Sequence, residues 1–169
     1  TRLHNDLTVP IIVKETGCGL SRQVGERLVE IGLQWVDTSG AGGTSWVGVE
    51  TLRNTPSERS IGQLFWDWGI PTAACVAQLS GLKLNIIATG GVQHGLDIAR
   101  ALALGAQAGG IARPFLKAWS RGGQSAVAEE AQKILAEIRA ALLLSGAQTA
   151  DELQSKHLIV GDELMKWVP

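Results

Sequence analysis

Between residues 85 and 115 the sequence repeats one local arrangement. Asn85-Ile86-Ile87-Ala88-Thr89-Gly90-Gly91-Val92 and Ala108-Gly109-Gly110-Ile111-Ala112-Arg113-Pro114-Phe115 are short apolar runs ending in glycine or another small residue. A helical pattern starts soon after each, and Leu96 to Leu104 lies between them. The order reads strand, helix, strand, with glycines at the carboxyl ends of the strands. Glycine there lets backbone amides approach a ligand closely, and a helix start behind it favours an anion. The two segments together read as a phosphate cradle.

The rest of the chain fits the same scheme. Val9 to Val13 predicts a strand ending in Lys14-Glu15, and Ser21 is a good N-cap for a helix carrying Val24, Leu28, Val29 and Ile31. Gln34 to Asp37 predicts a second strand, followed by the small-residue loop Thr38-Ser39-Gly40-Ala41-Gly42-Gly43-Thr44-Ser45. Residues 47–68 are too long for an ordinary connection and read as a lid or active-site loop, in part helical. Helices are expected from Ala73 to Leu79 and Leu96 to Leu104. A turn after Pro114 and a long helix from Ser125 to Leu144 follow, then a short helix over Thr149–Gln154.

Strands and helices alternate, with ligand-type loops after each strand, which predicts an α/β fold with a parallel sheet. Four βα units are half of a (β/α)8 TIM barrel. Phosphate binding in such barrels often falls on the loops after the last two strands, where residues 85–115 would sit. A flavodoxin-like or Rossmann sheet is the alternative, but no GxGxxG follows the first strand.

The 169 residues suit one domain, and 21 glycines without proline enrichment suit a fold rich in tight turns. A net charge of −1 recommends neither nucleic acid nor a membrane surface as a partner. No run of about 18 apolar residues occurs. Cys18 and Cys75 lie far apart in no metal-like spacing, which favours a reduced cytoplasmic compartment.

Lys14 ends a strand and could neutralise an anion or an electron-rich ring, or be an ordinary surface lysine. Ser39, Gly42, Gly43 and Thr44 offer hydroxyl and amide donors, or form a glycine-rich turn. Gly90, Gly91, Ala112 and Arg113 are stronger as a phosphate site because small residues recur at both strand ends. Asp37 could face the ligand or be a buried, hydrogen-bonded carboxylate. His94 fits a solvated helix start, and His4 and His157 lack the acidic or cysteine neighbours a metal needs. The tryptophans within 46–68 fit lid packing, and neither cysteine has a nucleophile's motif.

Five blocks resemble the type 2 isopentenyl-diphosphate isomerases. They are Val9-Pro10-Ile11-Ile12-Val13-Lys14-Glu15-Thr16-Gly17-Cys18-Gly19, Val36 through Trp46, Trp68-Gly69-Ile70-Pro71-Thr72, Ala88-Thr89-Gly90-Gly91-Val92, and Leu102-Ala103-Leu104-Gly105-Ala106. They keep that family's order and approximate spacing. The resemblance implies that residues 1–169 supply strands 5–8 of an FMN-binding barrel. It places Lys14 near the flavin N1/O2 edge and Ser39 and Thr44 against the cofactor. Gly90, Gly91, Val92, Ala112 and Arg113 would hold its phosphate. It implies isomerisation of isopentenyl diphosphate to dimethylallyl diphosphate with the reduced flavin as acid and base, NADPH as reductant and Mg2+ on the diphosphate. No side chain of this chain is then catalytic, and no metal ligand can be named in it.

The match begins near the fifth strand. It therefore implies a separate N-terminal half or self-association, with a homo-oligomer expected, since four βα units leave open sheet edges. Other flavin barrels are the competing readings. The 2-hydroxy-acid oxidases carry a histidine base in the loop after the equivalent of Asp37, and residues 38–44 contain none. The inosine-monophosphate dehydrogenases need a nucleophilic cysteine after the sixth strand, and Cys75 lies beyond that loop. A non-catalytic half-barrel is the reading from a different class.

Overall fold

The computed structural model describes residues 3, 6–57 and 59–168. His4 and Glu58 lie outside them. Four strands, β1 (Ile12–Lys14), β2 (Trp35–Asp37), β3 (Asn85–Ala88) and β4 (Ala108–Gly109), form one parallel sheet in the order β1-β2-β3-β4. Helix α1 (Arg22–Glu30) joins the first pair. Helices α2 (Trp46–Arg53), α3 (Arg59–Leu64) and α4 (Thr72–Leu79) lie between β2 and β3, and α5 (Gly95–Ala103) joins β3 to β4. Helices α6 (Arg113–Ser145), α7 (Ala150–Gln154) and α8 (Asp162–Met165) complete the chain.

Strand order decides between the two parallel architectures. A doubly wound sheet reverses its order at a switch point, which places helices on both faces. This order never reverses, so right-handed crossovers place the helices on one face, as in a (β/α)8 barrel. Strand alternation shows the same asymmetry. Val36 and Ile86 point toward the helices and are almost fully buried with Val76, Leu79, Leu84, Ala88, Ala101 and Ala106. The opposite face carries two rows set by register, Ile12, Trp35 and Asn85, then Lys14, Asp37, Ile87 and Ala108. All of these stay partly or largely accessible, Ile12 at 50%. The molecule is thus a partial barrel with its inner face open. A second cluster, Ala99, Leu102, Ala147 and Leu153, holds α7 against α5.

Several boundaries differ from expectation. The first strand is Ile12–Lys14, not Val9–Val13: Pro10 has no N–H for a ladder, and Val9 is 63% exposed. Of the apolar run that begins at Ala108, only Ala108–Gly109 is strand. The chain turns there because Pro114, with φ fixed near a helical value, sits in the first turn of α6. The predicted turn after Pro114 is accordingly helical. Its break falls later, at Gly122 (φ −159°) and Gly123 (φ +60°), the latter a conformation suited to glycine. Most of residues 47–68 is two short helices rather than irregular loop. Ser45 caps α2 and also donates to the Trp66 carbonyl at 2.7 Å, tying the segment's two ends together. Phe65 and Trp68 meet edge to face at 5.5 Å.

Candidate functional site

The carboxyl ends of all four strands open into one cleft of about 830 Å3, within the range of small-ligand sites. Its walls come from the loop after each strand.

After β1, the Lys14 ammonium donates to the Glu15 carbonyl at 3.1 Å and to Ser39 Oγ at 3.3 Å, and lies 4.0 Å from Asp37 Oδ2. The next carboxylate folds the loop. Glu15 Oε2 accepts from the amides of Gly17, Cys18 and Gly19 at 2.6, 2.5 and 3.0 Å. Burial acts to raise the Glu15 pKa, but these amides prevail and hold it below the ordinary 4.5. The folded turn places Gly17 on the cleft wall and seats Cys18 against the exit of the 46–68 segment, where Ile70 N–H donates to the Cys18 carbonyl at 2.7 Å.

The loops after β2 and β3 interlock through backbone. Gly90 (φ +100°) and Gly91 (φ +74°) lie so close to Gly40 and Gly42 that a Cβ on Gly91 would stand 2.5 Å from the Gly42 carbonyl. Three hydroxyls fasten the contact. Thr72 Oγ1 donates to the carbonyls of Thr89 and Gly90 at 2.9 and 2.6 Å, and the buried Thr38 Oγ1 donates to the Thr89 carbonyl at 3.1 Å. Thr89 Oγ1 donates to Asp37 Oδ1, which also accepts the Ser39 amide at 3.1 Å. Ser39 is held at φ +35°, the only non-glycine at positive φ among the described residues.

The two helix starts behind the cleft differ. That of α5 is already occupied by protein carboxylates. Asp97 accepts from the amides of Gln93 and His94, and Glu137 accepts from Gly95 at 2.7 Å. His94 Nδ1 lies 2.8 Å from Asp97 in an exposed pair, so it belongs to that cap and not to the cleft. The start of α6 has no side-chain cap and no acidic residue in its first turn, so its amides and dipole remain available. The helix start left uncapped on the cleft is therefore the one behind Ala112, not the one behind Gly91. Among the described residues, the amides of Gly42, Gly43, Gly90, Gly91, Val92, Ile111 and Ala112 donate to no protein acceptor. Seven such amides on one cleft, with Lys14 and Arg113 as its cations, form a donor set for an anion.

All eight residues predicted from sequence line this cleft: Lys14, Ser39, Thr44, Gly90, Gly91, Val92, Ala112 and Arg113. So do Thr16, Gly17, Asp37, Trp46, Thr89, Gln93 and Ile111, most of which sequence reasoning passed over. For Glu15 a signal was present, since an acidic side chain before Gly-x-Gly can accept from the amides that follow it. Thr89 gave none, because its partner Asp37 lies 52 positions away. Neither His157 nor either cysteine reaches the cleft, and both thiols are free. Burial raises the Cys75 thiol to about 11. Among the described residues no group of three or more His, Cys, Asp or Glu could hold a metal ion, and no helix is long and apolar enough to cross a membrane.

Residues 1–160 match the family model described as FMN-dependent dehydrogenase. The chain is similar to isopentenyl-diphosphate delta-isomerases. That of Halobacterium salinarum is 43% identical over 171 residues, covering 99% of this chain and 47% of the relative. That of Sulfurisphaera tokodaii is also 43% identical, covering 98% and 46%. That of Archaeoglobus fulgidus is 40% identical over 161 residues, covering 95% and 46%. The chain thus spans under half the length of the curated relatives it matches. Among solved structures, mandelate oxidase with (S)-4-hydroxymandelic acid superposes with a TM-score of 0.71 at 19% identity, over 95% of this chain and 39% of that one. A mandelate oxidase variant with a monooxide FMN adduct gives 0.70 at 18% identity, over 95% and 45%. These last two likenesses concern the fold.

Proposed function

The chain belongs to the FMN-dependent dehydrogenase family, and on that premise we propose that it is the phosphate-binding half of an FMN barrel that converts isopentenyl diphosphate to dimethylallyl diphosphate. One observation carries the reading: Lys14 and seven residues with unpaired amides line a single cleft, and among the described residues no histidine lines it. The donor set fits FMN. The amides of Gly90, Gly91, Val92 and Ala112, with Arg113 at the open start of α6, would hold the phosphate. Ser39, Thr44 and the amides of Gly42 and Gly43 would hold the middle of the molecule. Lys14 would lie beside the electron-rich part of the ring, where its charge would favour the reduced, anionic form. Once bound and reduced, FMN supplies the proton donor and acceptor for moving the double bond. The chain's own share is to bind, orient and set charge.

The relatives' names favour isomerisation over oxidation, and so does the loop at residues 38–44, where a 2-hydroxy-acid oxidase would place its histidine base. In this reading NADPH reduces the flavin, and Mg2+ binds the substrate's diphosphate. The open edges of β1 and β4 and the inner face are completed by an N-terminal half-barrel or a second copy, in a homo-oligomer. The segment 47–68 closes over the cleft as a lid. Two free thiols suit a reducing cytoplasm.

The test is direct. The purified chain is mixed with FMN and examined by absorbance and native mass spectrometry, alone and with an N-terminal half-barrel taken from a relative. Bound flavin with dimethylallyl diphosphate formed by the mixture is the expected result, and Lys14→Ala should cut turnover by about tenfold or more. A chain that takes up no FMN in either state refutes the reading. Flavin uptake with oxidation of a 2-hydroxy acid and no isomerisation would favour the oxidase instead.

A further inference from the structure

We propose that Asp37 is a positioning residue that holds Lys14 and Ser39 as one donor pair at the floor of the cleft. The inference rests on the flavin reading only for its ligand; the arrangement itself is within the chain. The two carboxylate oxygens have separate partners. Oδ1 accepts the Ser39 amide at 3.1 Å and the Thr89 hydroxyl, which closes a side-chain turn over residues 37–39 and keeps Ser39 at φ +35°. Oδ2 is left for Lys14 Nζ at 4.0 Å. That ammonium also donates to Ser39 Oγ, so the carboxylate acts on both ends of the pair.

The asymmetry in exposure shows which group fixes the other. The Asp37 side chain is 17% exposed and anchored by β2 and Thr89, whereas Lys14 is 56% exposed on a flexible stem at an edge strand. With Oδ2 absent, Lys14 keeps only a carbonyl and a hydroxyl and can swing into solvent. Among the described residues, Asp37 is the one acidic group paired with this ammonium, and Glu15 turns its carboxylate toward its own loop amides.

Asp37→Asn separates the two functions, because the amide oxygen can still accept from Ser39 and Thr89 while an NH2 replaces the oxygen facing Lys14. A double-mutant cycle with Lys14→Met reads FMN dissociation constants by quenching of flavin fluorescence. Asp37→Asn should weaken binding about tenfold when Lys14 is present and less than about twofold in the Lys14→Met background, a coupling of roughly 1 kcal/mol by the tenfold-per-1.4 conversion. Equal losses in both backgrounds would mean a merely structural role and overturn the proposal. The flavin-free chain gives an independent readout. The side-chain NMR resonances of Lys14 should move toward those of an unrestrained lysine in Asp37→Asn, and not in the control Glu50→Gln. Unchanged Lys14 resonances overturn the proposal even if flavin binds. If the resonances move but no protein takes up FMN, the proposal stands and the flavin reading fails.

Discussion

Alanine at Gly90 tests whether the cleft wall is as tightly built as its geometry indicates. Two costs are combined at this position. Backbone at φ +100° is a conformation that L side chains rarely adopt, and a Cβ there would lie 2.5 Å from the Gly40 nitrogen and closer still to its carbonyl oxygen. Gly81 provides the control, with φ +124° and nothing within 4 Å of its built Cβ. Gly81→Ala therefore reports backbone strain alone, about 1–2 kcal/mol. Gly90→Ala adds overpacking between two loops pinned by Thr72 and Thr38, a further ~1–3 kcal/mol. Urea unfolding followed by circular dichroism would measure both. With a slope of about 2 kcal/mol/M, the midpoint should fall by roughly 0.5–1 M for Gly81→Ala and roughly 1–2.5 M for Gly90→Ala. Equal midpoint losses for the two variants, with unchanged slopes, would refute the close contact of the β2 and β3 loops.

Two further predictions concern the β1 loop and its neighbour. Glu15 has a depressed pKa when folded, so its contribution is present above 4.5 and lost as pH falls below that value through the folded pKa. Glu15→Gln should cost about 1–3 kcal/mol at pH 7 and flatten the acid limb of the stability profile, measured by urea midpoints between pH 6 and 3; an unchanged acid limb would remove Glu15 as the loop's anchor. Cys75, fully buried with its thiol raised to about 11, should resist iodoacetamide at pH 8 until urea unfolds the chain. Mass mapping that finds Cys75 alkylated as fast in the native state as in urea would contradict the packing around it.

The fold was legible because its signals were local. Short apolar runs, an N-cap at Ser21 and apolar residues at helical spacing are short-range features, and they located helices and the order of the strands. Where the reading failed, a single residue had overridden the hydrophobic pattern. Pro10 removed the start of β1, and Pro114 began α6 early. The cleft's lining was legible for the same reason, since glycine at a strand end has few other uses. Its internal logic was not. Asp37 could be weighed only between a ligand role and a buried role, because the partners that decide it, Thr89 and Lys14, are brought to it by register across neighbouring strands. That the uncapped helix start is that of α6 and not that of α5 likewise depends on Glu137, 42 residues from the Gly95 amide that it satisfies.

Much of the cleft wall is main chain: the glycine backbone of one loop set against that of another, at distances that admit no Cβ. A surface of that kind has almost no mutational freedom, since substitution at Gly40, Gly43, Gly90 or Gly91 moves a whole loop and not a side chain. Variation that tunes what the cleft accepts is thereby channelled to places where other side chains reach it, such as Trp46 and Gln93. Relatives of this chain can be expected to share the backbone mould while differing at that rim, so the ligand's common part and its distinguishing part would be read by different portions of the same loops.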